Sequence, residues 1–322
     1  MKTAGKFPLF GVALVICLLL SACKPATENK SNSADKPRVA LVMKSLANEF
    51  FKTMEDGAKA HQQSHADDYD LIANGIKDEL DVSRQIDLVE QMIAQKVNAI
   101  VIAPADSKAL IPVCKKAQQA GIVVVNIDNK FDDEVLTSSS VKFPFVGPNN
   151  RNGAKMVGDF LAGKLQSGDK VAIVEGAPNA FNGIQRKLGF EDAMKAAGMN
   201  IVSSQSGYWE TDKANQIVAA LVTEHPDLKA VLCANDSMAL GAVAALRTAG
   251  KQGRVLVIGY DNISAIHHLL AEGNVIASAD QHADQLAVFG IEYALDMPKN
   301  KSTPADRETP VNLVTAESLP GK

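Results

Sequence analysis

Short, uniformly apolar segments alternating with amphipathic ones constrain this chain most. Val39–Met43, Leu71–Ala73, Ala99–Ala103 and Ile122–Ile127 read as strands. Between them Val82, Ile86, Val89 and Ile93 recur at intervals of 4, 3 and 4, which predicts an amphipathic helix. Phe50, Met54 and Ala58 predict another, and so do Leu110, Val113 and Ala117, with Ser107 the expected N-cap of the latter. A half-exposed strand would alternate polar and apolar residues. These do not, so they belong in a parallel sheet covered by helices on both faces.

The rhythm breaks over residues 128–147 and then restarts. Strands Val171–Glu175, Ile201–Ser204, Ala230–Ala234, Val255–Tyr260 and Val275–Ala279 are expected in the second series. Helices Asn152–Leu165, Asn182–Ala197, Asp212–Glu224, Ser237–Thr248, Ser264–Ala271 and Asp284–Met297 fall between and after them. The expected fold class is therefore α/β, with two doubly wound parallel-sheet lobes built from right-handed crossovers. A length of 322 residues accommodates two such units.

The N-terminus reads differently. Lys2 and Lys6 precede the apolar stretch FPLFGVALVICLLL, which is followed by Leu20-Ser21-Ala22-Cys23. A charged start, an apolar stretch short of the about 20 residues that span a bilayer, and small residues before a cut site form a secretory signal over residues 1–22. LSAC resembles a bacterial lipobox, which implies lipidation at Cys23 and a flexible tether over residues 23–37. Removing residues 1–22 takes away two lysines and no acid, moving the net charge from −4 to −6. With no block of like charge in the folded part, nucleic acid is not an expected partner. No Cys or His cluster has zinc spacing, so neither metal nor cofactor is expected. Cys114 and Cys233 read as buried thiols.

Ligands of open α/β sheets bind outside the carboxyl ends of the strands. Here those ends carry Lys44, Asn48, Phe50-Phe51, Asp128-Asn129, Arg186, Trp209, Asn235-Asp236, Asp261-Asn262 and Asp280-Gln281. Amides, carboxylates and a guanidinium can each engage a hydroxyl pair bidentately, and flat rings suit the C–H faces of a sugar. Each of the Asp and Asn residues could equally be a helix cap or turn residue. Phe50 or Phe51 could serve the core instead, and Trp209 could be packing.

Several segments resemble the bacterial periplasmic ribose- and allose-binding proteins: VALVMKSLANEFF at 39–51, NAIVIAPADS at 98–107, VVVNIDN at 123–129, HPDLKAVLCANDSMALGAVAAL at 225–246 and VLVIGYDN at 255–262. The resemblance spans nearly all of residues 38–317. It implies the type I periplasmic binding protein fold, with a three-stranded hinge, an N-terminal lobe of residues 38–146 plus 282–309 and a C-terminal lobe of residues 147–281 plus 310–322.

It also implies a sugar site. Lys44, Asn48 and Asp128 bind hydroxyls from one lobe, and Asn129 lies beside them. Phe51 and Trp209 stack on opposite sugar faces. Arg186, Asn235, Asp261 and Gln281 complete the ring from the other lobe and the hinge. Lys44 follows the allose-binding pattern and favours a hexose such as allose over a pentose such as ribose. Asn129 stands where ribose binders have Arg and allose binders Glu, so it leaves the sugar open. Glu49 replaces a usual Pro, with no expected consequence.

The implied function is non-catalytic: a monomeric, exported lipoprotein in the periplasm or on the cell surface that hands a sugar to the permease of an ABC importer. Service to a chemoreceptor or sensor kinase is the alternative. A sugar-active enzyme using Asp128 and Asp261 is a remote one, for no hydrolase or phosphate-loop motif accompanies them.

Overall fold

A computed structural model describes residues 36–299 and 305–319. The predicted signal and Cys23 lie outside the described residues.

The first series gives β1 (Arg38–Ser45), α1 (Glu49–Ser64), β2 (Asp70–Ile76), α2 (Val82–Ala94), β3 (Ala99–Ile102), α3 (Ile111–Gln119), β4 (Val123–Ile127), α4 (Asp133–Ser138) and β5 (Phe145–Pro148). The second gives α5 (Asn150–Ala162), β6 (Lys170–Glu175), α6 (Phe181–Ala196), β7 (Asn200–Ser206), α7 (Thr211–Glu224), β8 (Ala230–Cys233), α8 (Asp236–Thr248), β9 (Leu256–Ile258), α9 (Ser264–Ala271) and β10 (Ser278–Asp280). Then follow α10 (Ala283–Asp296), β11 (Arg307–Thr309) and β12 (Asn312–Val314).

Two parallel sheets result, one in each lobe. Their orders are β11-β5-β4-β3-β1-β2 and β7-β6-β8-β9. Among the described residues the chain passes between lobes three times: from β5 to α5, from β10 to α10, and from β11 to β12. β10 and β12 pair antiparallel, with Ser278 opposite Val314. The all-apolar strands explain the two-sided cover. Val39, Leu41 and Met43 of β1 point into one core, and Ala40 and Val42 into another. Since successive side chains of a strand face opposite ways, a strand covered on both faces must be apolar throughout.

Four features depart from the sequence reading. The 128–147 break contains α4 and β5. β10 begins at Ser278, three residues after the expected start. Strands β11 and β12 come from a tail without a strong apolar pattern. Ser107 does not cap α3, whose N-cap position is Leu110 with no side-chain bond. Ser107 is instead buried at the meeting of the lobes, where its Oγ accepts from Phe181 N at 2.9 Å and donates to Asn129 Oδ1. Cys114 and Cys233 are both buried and form no disulfide.

Candidate functional site

Both sheets direct their carboxyl ends towards each other, and the residues there line a small cavity. Nine of the ten predicted site residues line it: Lys44, Asn48, Phe51, Asp128, Arg186, Trp209, Asn235, Asp261 and Gln281. Asn129 does not. Its Nδ2 donates to Pro104 O at 2.8 Å, and its Oδ1 accepts from Asn182 N of the other lobe at 3.1 Å. It joins the lobes instead of facing the cavity. Phe50, Glu79 and Asn182 line the cavity in addition.

The capping and binding readings turn out to be compatible. Asn48 Oδ1 accepts from Phe50 N and caps α1, while its Nδ2 donates to Glu79 Oε1 at 3.3 Å. Asn235 Oδ1 caps α8 through Met238 N at 2.9 Å, and its Nδ2 reaches Trp209 O at 3.4 Å. Capping fixes the orientation of each amide.

Three lining residues have left-handed backbone: Asp128 at φ 60°, Trp209 at 71° and Asp261 at 123°. Such conformations cost on the order of 1–3 kcal/mol each in non-glycine residues and persist where surrounding structure enforces them. Buried Asn126 does so at Asp128, donating to Asn129 O at 2.8 Å and accepting from Phe131 N at 2.8 Å. Buried Asp236 does so next to Asp261, accepting from Ile263 N at 3.1 Å and from Ser278 Oγ at 2.8 Å.

Each lobe supplies its own buried ion pair. Lys44 Nζ lies 3.2 Å from Asp128 Oδ2, and Arg186 Nη1 lies 3.4 Å from Asp261 Oδ1. Arg186 Nε also donates to Asn150 Oδ1 at 2.9 Å, and Nη1 to Ala234 O at 2.9 Å. The guanidinium stacks 3.8 Å from the centre of Tyr260. Gln281 Nε2 donates to Asp261 Oδ1 at 2.7 Å. Burial pushes the Asp261 carboxyl well above the usual carboxylate range, against the opposing pull of Arg186.

The acceptors are not all satisfied. Glu79 Oε2, Asp128 Oδ2, Asn182 Oδ1 and Gln281 Oε1 are buried without a hydrogen-bond partner. Asp128 Oδ2 is near Lys44 but outside hydrogen-bond alignment. Glu79, Asn182 and Gln281 thus each bring an unmet buried oxygen to the residues lining the cavity, and Asp128 brings one held by the Lys44 charge alone; these match a ligand rich in hydroxyl donors, because an unmet buried polar group costs about 1–3 kcal/mol. Phe51 and Trp209 add apolar surfaces, each with Lys44 Nζ about 5.5 Å from its ring centre.

The lobes touch around the cavity. Ser107 N donates to Asn179 O at 3.1 Å, and Asn179 Nδ2 to Asp106 Oδ2 at 2.8 Å. On the opposite flank Glu49 accepts from Ser264 N at 2.7 Å, from Ser264 Oγ, and from Ala265 N at 3.3 Å. Helix α9 has Ile263 at its N-cap position, which offers no side-chain acceptor. Glu49 therefore caps it from the other lobe, contrary to the inert role expected of this residue. No sequence pattern couples positions 49 and 264. Glu79 lies between an expected strand and an expected helix, where no pattern singles it out.

Comparison with known proteins gives a consistent picture. Residues 39–302 match the family described as periplasmic binding protein domain. A D-ribose/D-allose-binding protein of Pseudomonas aeruginosa is 57% identical over 310 residues, covering 94% of this chain and 97% of that protein. The ribose import binding protein of Escherichia coli is 30% identical, over 94% of this chain and 98% of its own length. Among solved structures, an ABC transporter periplasmic solute binding protein of Actinobacillus succinogenes with bound D-allose is 36% identical, with a TM-score of 0.82. It is covered to 98%, against 88% of this chain. A Burkholderia multivorans solute binding protein that holds an unknown ligand is 60% identical with a TM-score of 0.85, over 88% of this chain and all of that one.

Proposed function

This chain belongs to the periplasmic binding protein domain family, and from that premise we propose that it captures a monosaccharide of the ribose or allose kind between its lobes and delivers it to an ABC importer. The buried oxygens of Glu79, Asn182 and Gln281 without hydrogen-bond partners, in a cavity that Phe51 and Trp209 also line, carry this reading. A pyranose offers several hydroxyl donors for such a wall and two C–H faces for Phe51 and Trp209. Asp128 would hold a hydroxyl pair beside Lys44. Arg186, Asn235, Asp261 and Gln281 would hold the remaining ring and hydroxyl oxygens. Micromolar affinity corresponds to about −8 kcal/mol, within reach of a few charge-assisted hydrogen bonds at roughly 1.5–3 kcal/mol each.

Only closed lobes engage both sides of the sugar, so binding stabilises closure and the permease reads the closed shape. The lobe assignment, 38–146 plus 282–309 and 147–281 plus 310–322, is part of this proposal. Export to the periplasm follows the family. Tethering through a lipid on Cys23 rests on the LSAC sequence, and mass spectrometry of the chain from membranes tests it.

Asp128 gives the sharpest test of the site. In Asp128→Ala the rise in melting temperature caused by millimolar D-allose or D-ribose should disappear; a rise equal to that of the unmodified chain contradicts the assignment. Glu49→Ala should act differently. Losing a helix cap costs about 1 kcal/mol, here charged to the closed state alone, so affinity should fall about five-fold through faster release. Stopped-flow dissociation rates check this, and an unchanged rate rules out a latch role.

A further inference from the structure

Glu79 stands apart from the residues used above. It sits between β2 and α2, in a loop held by local bonds: Leu46 N to Ile76 O at 3.1 Å, Ser45 Oγ to Lys77 O at 2.7 Å and Leu80 N to Asp78 Oδ1 at 2.8 Å. Its side chain lines the cavity and the residue is only 5% exposed. Asn48 Nδ2 donates to one carboxyl oxygen, and the cap bond of Asn48 to Phe50 N fixes that amide's orientation. The other oxygen, Oε2, is buried without a partner. We propose that Glu79 is a specificity-determining residue whose Oε2 accepts a hydrogen bond from one ligand hydroxyl at the end of the cavity next to Asn48 and Phe50. This deepens the sugar-binding reading and rests on it.

The electrostatics agree. Burial pushes the Glu79 carboxyl up to about 7, with Asp128 and Glu210 adding to the rise and Lys44 and Asn48 opposing it. Its desolvation is thus only partly offset within the protein, and a hydroxyl donor would offset more. A site that holds a buried acceptor for one hydroxyl discriminates strongly against an analogue lacking it, since the acceptor is then left unmet.

Calorimetry of the chain and of Glu79→Gln with D-allose, D-ribose and the monodeoxy analogues of the tighter-binding sugar tests this. Glu79→Gln keeps the side chain's shape, and its melting temperature without sugar checks the fold. Affinity for the parent sugar should fall ten-fold or more, while one monodeoxy analogue should bind both proteins equally. Equal affinity of both proteins for the parent sugar overturns the inference alone. The same loss for every analogue also overturns it, because that is the signature of a structural role. An unmodified chain that binds none of these sugars overturns the sugar reading and this inference together.

Discussion

Arg186→Ala should abolish measurable sugar binding and also destabilise the protein without sugar. The guanidinium side chain is 2% exposed and holds Asp261 Oδ1, Asn150 Oδ1 and Ala234 O while stacking on Tyr260. Truncation leaves the buried acceptors Asn150 Oδ1 and Ala234 O without this donor and Asp261 without its cation, and each unmet buried group costs about 1–3 kcal/mol. For a protein of this size the fall in melting temperature should be on the order of 10 °C. Affinity should fall more than 100-fold, as expected for the loss of two charge-assisted hydrogen bonds. Arg186→Lys separates the two effects. It keeps the charge but loses the planar fork and the stacking, so stability should largely return and affinity should not. Full affinity in Arg186→Lys would contradict the role given to the fork.

Gly176→Ala should weaken binding from beneath the site. An added Cβ would overlap Cη2 and Cζ2 of Trp209 and lie 2.5 Å from Cζ3. Gly183 closes the same ring from another side, where an added Cβ would meet Cζ2 at 3.1 Å. The indole would therefore have to shift from its place in the cavity wall. Overpacking of this kind costs about 1–3 kcal/mol. The tilted ring should reduce sugar affinity on the order of 10- to 100-fold. Trp209 is the single tryptophan of the chain, so its emission reports the displacement directly. Unchanged emission and unchanged affinity would show that the ring does not contact the ligand.

Much of this is legible in the sequence because strand burial and strand-end chemistry are local. The uniformly apolar runs Val39–Met43 and Ala99–Ala103 declare a doubly covered parallel sheet, and the position rule for such sheets then selects the polar residues at their ends. Trp209 and Arg186 are selected in this way and do line the cavity. The resemblance to sugar-binding proteins supplies their implied roles. The misses depend on contacts between segments remote in sequence. Strand β11 is mostly exposed and has little apolar pattern; pairing with β5 across more than 150 residues defines it. Glu49 reads as an ordinary first-turn acid, and only the fold brings the uncapped N-terminus of α9 to it. Asn129 follows Asp128 directly, yet the left-handed turn at Asp128 points only the aspartate at the cavity.

The most direct test of the central claim is a titration of the purified chain with D-allose and D-ribose, followed by calorimetry and by Trp209 emission. The expected result is saturable one-to-one binding of at least one of them at about micromolar affinity, with a matching change in emission. No heat and no emission change with either sugar, or with other pentoses and hexoses at millimolar concentration, would contradict it.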